Sequence, residues 1–257
     1  MLHNKKTKSF FVISNYINSK SLFLPTNISN IVAWFDPSFL DTVVTHGHTH
    51  VSELLNKTNN NNLTATGSHQ PSTGINSLNG LNVLDYAGDW FVLPSNIYLL
   101  PEGDYSMYIL AKQDGSGGSR LVNFQTSGTV AGLQYLTTSD QVKFISGNST
   151  GVTATGVTKT NWNLFSCRRS GTSLTLQVNG GADFESSEGV NTTPTSGNIA
   201  TFLNGIAGNF NGNISAMIFY NKILSDSESD KIEGYIMHRF GLKGYLPSDH
   251  AYKNLIP

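Results

Sequence analysis

Between Phe210 and Tyr252 the chain reads FNGNISAMIFYNKILSDSESDKIEGYIMHRFGLKGYLPSDHAY. This is a strand, a capped helix and a proline-stopped tail. Gly212 and Asn213 are turn residues. In the strand from Ile214 to Tyr220, alternation puts Ile214, Ala216, Ile218 and Tyr220 on one face and Ser215, Met217 and Phe219 on the other. Both faces are largely apolar, so the strand is expected to be covered on two sides. Ser225 followed by Glu228 fits a capping box, with Asp226 in the positive first turn. Ile232, Tyr235, Ile236, and Arg239 or Phe240 then recur at helical spacing, and Gly241 suits a left-handed C-terminal cap. A helix of about four turns with one apolar stripe is expected to lie on a sheet.

Before this stretch the pattern is β throughout. Short runs at Ile31–Phe39, Leu81–Tyr86, Asp104–Lys112, Leu121–Phe124, Gly132–Leu136, Gln141–Ile145, Asn161–Arg168 and Leu174–Val178 are separated by turn signals such as Asn79-Gly80 and Asn179-Gly180. That spacing predicts an all-β sandwich or barrel. No βα alternation and no fixed-period repeat interrupts it. A chain of 257 residues fits one large sandwich. Residues 1–28 read as an N-terminal arm and 29–257 as the sandwich domain.

With a net charge of −1 and 13 % charged residues, the chain lacks the clustered cations that phosphate neutralisation requires, so nucleic acid is not an expected partner. No stretch approaches the roughly 20 apolar residues of a membrane span. Lys5, Lys6 and Lys8 precede Phe10–Ile13, but that apolar run is too short for a signal peptide. Cys167 stands alone, so no internal disulfide is expected, and it reads as a half-buried strand residue. The Asn-x-Ser/Thr sequons, including Asn27, Asn56, Asn62, Asn148, Asn191 and Asn213, read as a product of composition.

Several stretches in order resemble the concanavalin A-like lectin/glucanase superfamily, in its laminin-G-like jelly-roll branch. Trp34-Phe35-Asp36-Pro37-Ser38 is similar to the family's opening W-x-D-A-S. The Asn-rich loop running to Gln70-Pro71 follows. Asn79-Gly80-Leu81 through Asp85 is similar to its N-G-x-x-x-x-x-F-D. Asp104–Ala111, Trp162–Cys167 and Leu174–Gly180 match its later strands, and Phe210–Tyr252 its closing strand and helix. The resemblance covers about residues 31–252. It implies an all-β, two-sheet antiparallel jelly-roll sandwich with one C-terminal α-helix. In this reading Trp34, Asp36, Ser225, Glu228 and Gly241 are structural.

The family's activities vary, so fold alone does not fix function. Its glucanases carry E-x-D-x-x-E on one strand, and this chain has no match. Asp183, Glu185 and Glu188 come nearest, within an apparent polar loop. No G-x-S-x-G, HExxH or phosphate-binding glycine loop is present. The chain is therefore expected to be non-enzymatic: a virion structural, decoration or fibre-type protein that assembles with its own copies or other virion proteins through the arm and adheres to host glycans. A lectin-like carbohydrate-binding module, extracellular or on a cell surface, is the alternative; glycoside hydrolysis ranks below both. Candidate ligand-binding residues are Trp90, Asp89, Asp114, Asp183 and Glu185. Asp85, Asp89 and Asp114 are loop-edge carboxylates of the kind that hold calcium. His46, His48 and His50 alternate on one extended segment, which makes them candidate ligands of a transition metal completed from elsewhere or by symmetry; no resident cofactor is required. Recognition is expected in the loops around His46–His50, Asn56–Asn62, Gly115–Gly118 and Asp183–Glu188. His250 reads as a packing or hydrogen-bonding residue.

Overall fold

The structure is a computed structural model that describes residues 22–257, apart from 66, 116–118, 127–129, 138–139, 148–149, 203–204, 206–207 and the side chain of Val130. The basic part of the arm and most of the Gly115–Gly118 loop therefore lie outside the described residues. In chain order the first strands are β1 (Ile31–Phe35), β2 (Val43–His46), β3 (His50–Leu54), β4 (Leu63–Thr64), β5 (Ser77–Leu78), β6 (Leu81–Asn82), β7 (Leu84–Ala87) and β8 (Phe91–Val92), followed by the single-turn helix α1 (Ser95–Tyr98). The middle of the chain forms β9 (Tyr105–Gln113), β10 (Ser119–Gln125), β11 (Val130–Tyr135), β12 (Gln141–Ile145) and β13 (Val152–Thr155). The last elements are β14 (Asn163–Ser170), β15 (Ser173–Val178), β16 (Phe184–Ser186), β17 (Ser196–Ile199), β18 (Asn211–Tyr220) and α2 (Asp226–Arg239).

The strands make two large antiparallel sheets, as expected. One has the order β1-β18-β9-β14-β15-β16 with β7 also on β18; the other runs β13-β12-β11-β10-β17-β8-β4-β3-β2. Their inner faces share one core. Tyr105 of β9 meets Phe124 of β10 and Phe144 of β12 edge-on, with ring centroids 6.3 and 6.0 Å apart. Such T-shaped contacts suit the aromatic quadrupole.

A second core lies on the other side of the seven-stranded sheet. Tyr108, Leu110, Leu164, Ala216, Ile218 and Tyr220 pack there against Ile232, Ile236, Met237 and Phe240 of α2. The molecule is thus three layers deep, with α2 covering a sheet face. Double coverage explains why β18 is apolar on both sides. One detail departs from simple alternation. A register shift between Ile214 and Ala216 turns Ile214 into the inner core with Met217 and Phe219. A bulge inserts one residue and reverses the phase.

The sequence motifs converge on α2. Ser225 accepts from the Glu228 N–H, and the Glu228 carboxylate accepts from the Ser225 N–H, closing the predicted capping box. At the other end Gly241 has φ +67°, and the Asn79 side chain donates to the Phe240 carbonyl. Asp36, which is 0 % exposed, accepts from Arg239 Nε at 2.8 Å and from Ser38 Oγ at 2.5 Å. Arg168 of β14 holds Asp226 at 2.5 Å and Asp183 at 3.4 Å. Trp34 meets Phe39 and Tyr235 edge-on.

The Asn-rich segment is not a loose loop. Asn56 is buried; its carbonyl oxygen accepts from the Trp34 and Thr58 N–H groups, and its amide donates to Asn59 and to the Asn61 carbonyl. Amides that supply both donors and acceptors let a polar run knit to itself and to β1. Residues 22–28, counted with the arm from sequence, also lie against the domain: Ile28 is buried, and Tyr220 donates its hydroxyl to the Pro25 carbonyl. Cys167 is fully buried on β14, and burial pushes its thiol pKa up.

Candidate functional site

Because α2 occupies the outward face of the seven-stranded sheet, the outward face of the nine-stranded sheet is the one that no helix among the described residues covers. Its residues follow from cross-strand register, since paired residues share a face. Val122, Leu133, Phe144 and Ile199 point into the core. Their neighbours therefore point outward. Asn123 of β10 pairs with Asn198 of β17, and Asn198 pairs with Val92 of β8. One row along, Arg120 pairs with Gln134, Gln134 with Lys143, and Lys143 with Thr153. The face is an amide- and hydroxyl-rich ribbon. From β8 to β12 it crosses four inter-strand intervals, about 19 Å.

Its polar groups are not all satisfied from within. Gln125 donates to Asn198 at 3.1 Å. Asn123 is 0 % exposed, yet neither its amide nitrogen nor its carbonyl oxygen has a partner. Arg120 Nη1 and Ser119 Oγ are likewise buried without partners. Buried polar atoms are normally paired, and each exception asks for an explanation.

At the β8 end the ribbon meets an aromatic corner. Alternation with inward-facing Phe91 sets Trp90 on the outward side with Val92. Trp90 stands outside both cores and stacks on His69, with centroids 3.7 Å apart and planes at 25°. Burial raises the Asp89 carboxylate above its ordinary pKa, while His69 and His50 pull it back down. Asp89 also accepts from the Ala87 N–H at 3.2 Å. The chain from Ile199 to Phe210 ties this corner to Arg120. Gly205 lies so close to Trp90 that a Cβ would run into the indole, Gly208 accepts from the Arg120 N–H at 2.9 Å, and Phe202 lies 5.2 Å from the Arg120 guanidinium carbon.

Of the residues singled out from sequence, Trp90, Asp89 and His50 are thus brought together. The histidine triplet does not lie along one strand. His46 and His50 face each other across the β2–β3 hairpin and His48 sits in its turn, because Gly47 reverses the chain at φ +75°. The other carboxylates go elsewhere. Asp114 pairs with Lys112 at 3.1 Å. Asp183 joins the Arg168 network, and Glu185 sits on edge strand β16 rather than in a loop.

Among the described residues one group of three offers metal-ligating atoms within 4.8 Å of one another: Asp230, Glu233 and His250. The donor set does not fit a metal. The Tyr252 N–H donates to His250 Nδ1 at 3.1 Å, so Nδ1 carries a lone pair. The proton of a neutral imidazole then sits on Nε2, which faces Glu233 at 3.1 Å. A protonated nitrogen is not a ligand. His250 pins the tail to α2 instead, as read from sequence.

Arg120, Asn123, Gln134 and Asn198 were not singled out from sequence. Polar residues in the apolar run Ser119–Gln125 were the available signal, but a register shift between Arg120 and Val122 breaks its alternation.

No protein-family model matches the chain, and no curated protein sequence does. Solved structures do. Trypanosoma rangeli sialidase in complex with the inhibitor DANA aligns with TM-score 0.57 and 14 % identity, over 80 % of this chain and 34 % of the sialidase. The chain therefore spans about a third of the sialidases it matches. Domain 4 of AbnA, a GH43 extracellular arabinanase from Geobacillus stearothermophilus, in complex with arabinotriose, aligns with TM-score 0.57 and 14 % identity, over 77 % of this chain and 96 % of that domain. At this identity the likeness is one of fold: a β-sandwich of two antiparallel sheets.

Proposed function

We propose that this chain is a carbohydrate-binding module that holds glycans on the outward face of its nine-stranded sheet and does not cleave them. The observation that carries the reading is the outward polar row of Arg120, Gln134, Lys143 and Thr153, whose side chains are half-buried rather than sealed. Sugar hydroxyls both donate and accept, so they match a planar amide. Trp90 on His69 gives an apolar wall beside that ribbon, and Asp89 adds an acceptor. The arabinanase domain, described with a bound arabinotriose, is a neighbour of similar extent. Glycoside cleavage uses two carboxylates flanking the bond. The carboxylates this face offers are Glu53 of β3, which accepts from Asn62 at 2.7 Å, and Asp89 at the Trp90 corner, which accepts from the Ala87 N–H at 3.2 Å; each is engaged within the protein.

Titration calorimetry against a panel of neutral and acidic oligosaccharides tests this. Gln134→Ala and Trp90→Ala are expected to weaken binding tenfold or more. Glu185→Ala, on the edge of the other sheet, is expected to leave it unchanged. Binding that survives both face substitutions, or no binding across the panel, would overturn the reading. Release of reducing ends from a bound oligosaccharide would overturn the non-catalytic part alone.

A further inference from the structure

The cationic end of the same face has its own chemistry. Arg120 lines a cavity of about 190 Å³ with Ser119, Gln134, Leu136, Thr137 and Gly208. Its guanidinium lies over Phe202, and Nη1 is buried with no acceptor. No carboxylate pairs with it: the ion pairs among the described residues involve other cations. Burial alone shifts Arg120, lowering its pKa, with no acidic neighbour to raise it. The contrast is Arg168, which is also partly buried but held by Asp226 and Asp183. A half-buried guanidinium with no anion is a cost unless something supplies one.

The surroundings favour an anion. Lys143 lies two strands from Arg120 through Gln134, a separation of about 10 Å. Glu53, the sheet's one carboxylate, is four strands away in the other direction, about 19 Å. A planar guanidinium binds carboxylate and sulfate through two parallel N–H bonds.

We propose that Arg120 forms an anion subsite that takes the carboxylate or sulfate group of an acidic glycan. The inference rests on the carbohydrate-binding reading above and specifies the ligand class. Matched oligosaccharides, one neutral, one bearing a uronic acid and one bearing a sulfate ester, separate the two sources of charge. Binding of at least one acidic ligand is expected to be tighter than the neutral one by about tenfold to a hundredfold, the range for hydrogen bonds to charged groups. That advantage should fall as salt is raised. Arg120→Met should weaken acidic-ligand binding by more than it weakens neutral binding and so remove the advantage, whereas Arg120→Lys should keep part of it. Circular dichroism melts of both variants establish that they fold.

Titration of the unmodified protein with inorganic sulfate, read on the Arg120 Nε resonance, separates the two readings. A saturable shift without binding of any glycan would keep the anion subsite and remove the carbohydrate reading. Equal affinity for acidic and neutral ligands, or an Arg120→Met loss shared equally by both, would overturn the subsite and keep the module. No response to sulfate and no glycan binding would overturn both.

Discussion

Replacing Arg239 by Met removes the one cation that Asp36 faces. Asp36 is 0 % exposed. It accepts from the Ser38 N–H at 3.0 Å, Ser38 Oγ at 2.5 Å and Arg239 Nε at 2.8 Å. Methionine keeps an apolar stem near Phe39, whose ring lies 4.0 Å from the Arg239 guanidinium carbon. The carboxylate keeps its two bonds from Ser38 and is left buried without a counter-charge. Breaking a buried pair in this way costs roughly 3–5 kcal/mol. The Arg239 side chain is 24 % exposed, so water screens part of the loss, and about 2–4 kcal/mol is the better figure. At roughly 2–4 °C per kcal/mol for a domain of this size, the midpoint should fall by about 4–16 °C. Urea unfolding followed by tryptophan fluorescence in a Trp90→Phe, Trp162→Phe background is a direct assay, since the remaining Trp34 packs on Tyr235 of the same helix. The double variant Asp36→Ala with Arg239→Met should be more stable than Arg239→Met alone, because it no longer buries a lone charge. A cost below about 0.5 kcal/mol, the level of an ordinary surface substitution, would refute the view that this pair docks α2.

Three further outcomes follow from the helix and its tail. Ser225→Ala should cost about 1 kcal/mol through loss of the cap, measured as a shift in urea midpoint. A hydrogen bond from Lys222, before other causes, lowers the Glu228 pKa; a carboxylate depressed in the folded state stabilises above its unfolded pKa of about 4.3 and loses that contribution as pH falls through the lower folded value. The stability gap between the parent and Glu228→Gln should therefore close in acid below that range, and a gap constant with pH would count against the link. Zinc should leave the melting temperature unchanged at Asp230, Glu233 and His250, because His250 Nδ1 accepts the Tyr252 N–H; a rise on adding zinc that disappears in His250→Gln would show that this bond gives way to a metal.

The motifs easiest to read in the sequence proved to be contacts with one helix. Asp36 from the first strand motif meets Arg239 from the last, 203 residues on. Asn79 of the turn reaches the end of α2. Arg168 reaches its start. These residues keep a helix on a sheet, which is why they identify a fold and say little about a ligand. The less legible residues lie on the opposite side. Arg120 and Asn123 fall around a register shift that breaks the alternation by which outward positions are read, as Ile214 falls beside another. The Asn56 segment misled for a different reason. Low complexity usually signals exposure, and Asn59–Asn61 are exposed, but Asn56 is buried with partners on β1 and within the segment itself.

The sequence by itself determined the closing strand, the capped helix and its glycine stop, because alternation, a capping box and a left-handed cap are set within a few residues. It also determined that β18 must be covered on both sides. Only the tertiary structure decided what covers each face. Helix α2 takes the outward face of the seven-stranded sheet through contacts from both ends of the chain, and the Asn123 ribbon, Arg120 and the Trp90–His69 corner then share the face it leaves. That assignment depends on register shifts and pairings between residues far apart in sequence, which local patterns do not encode.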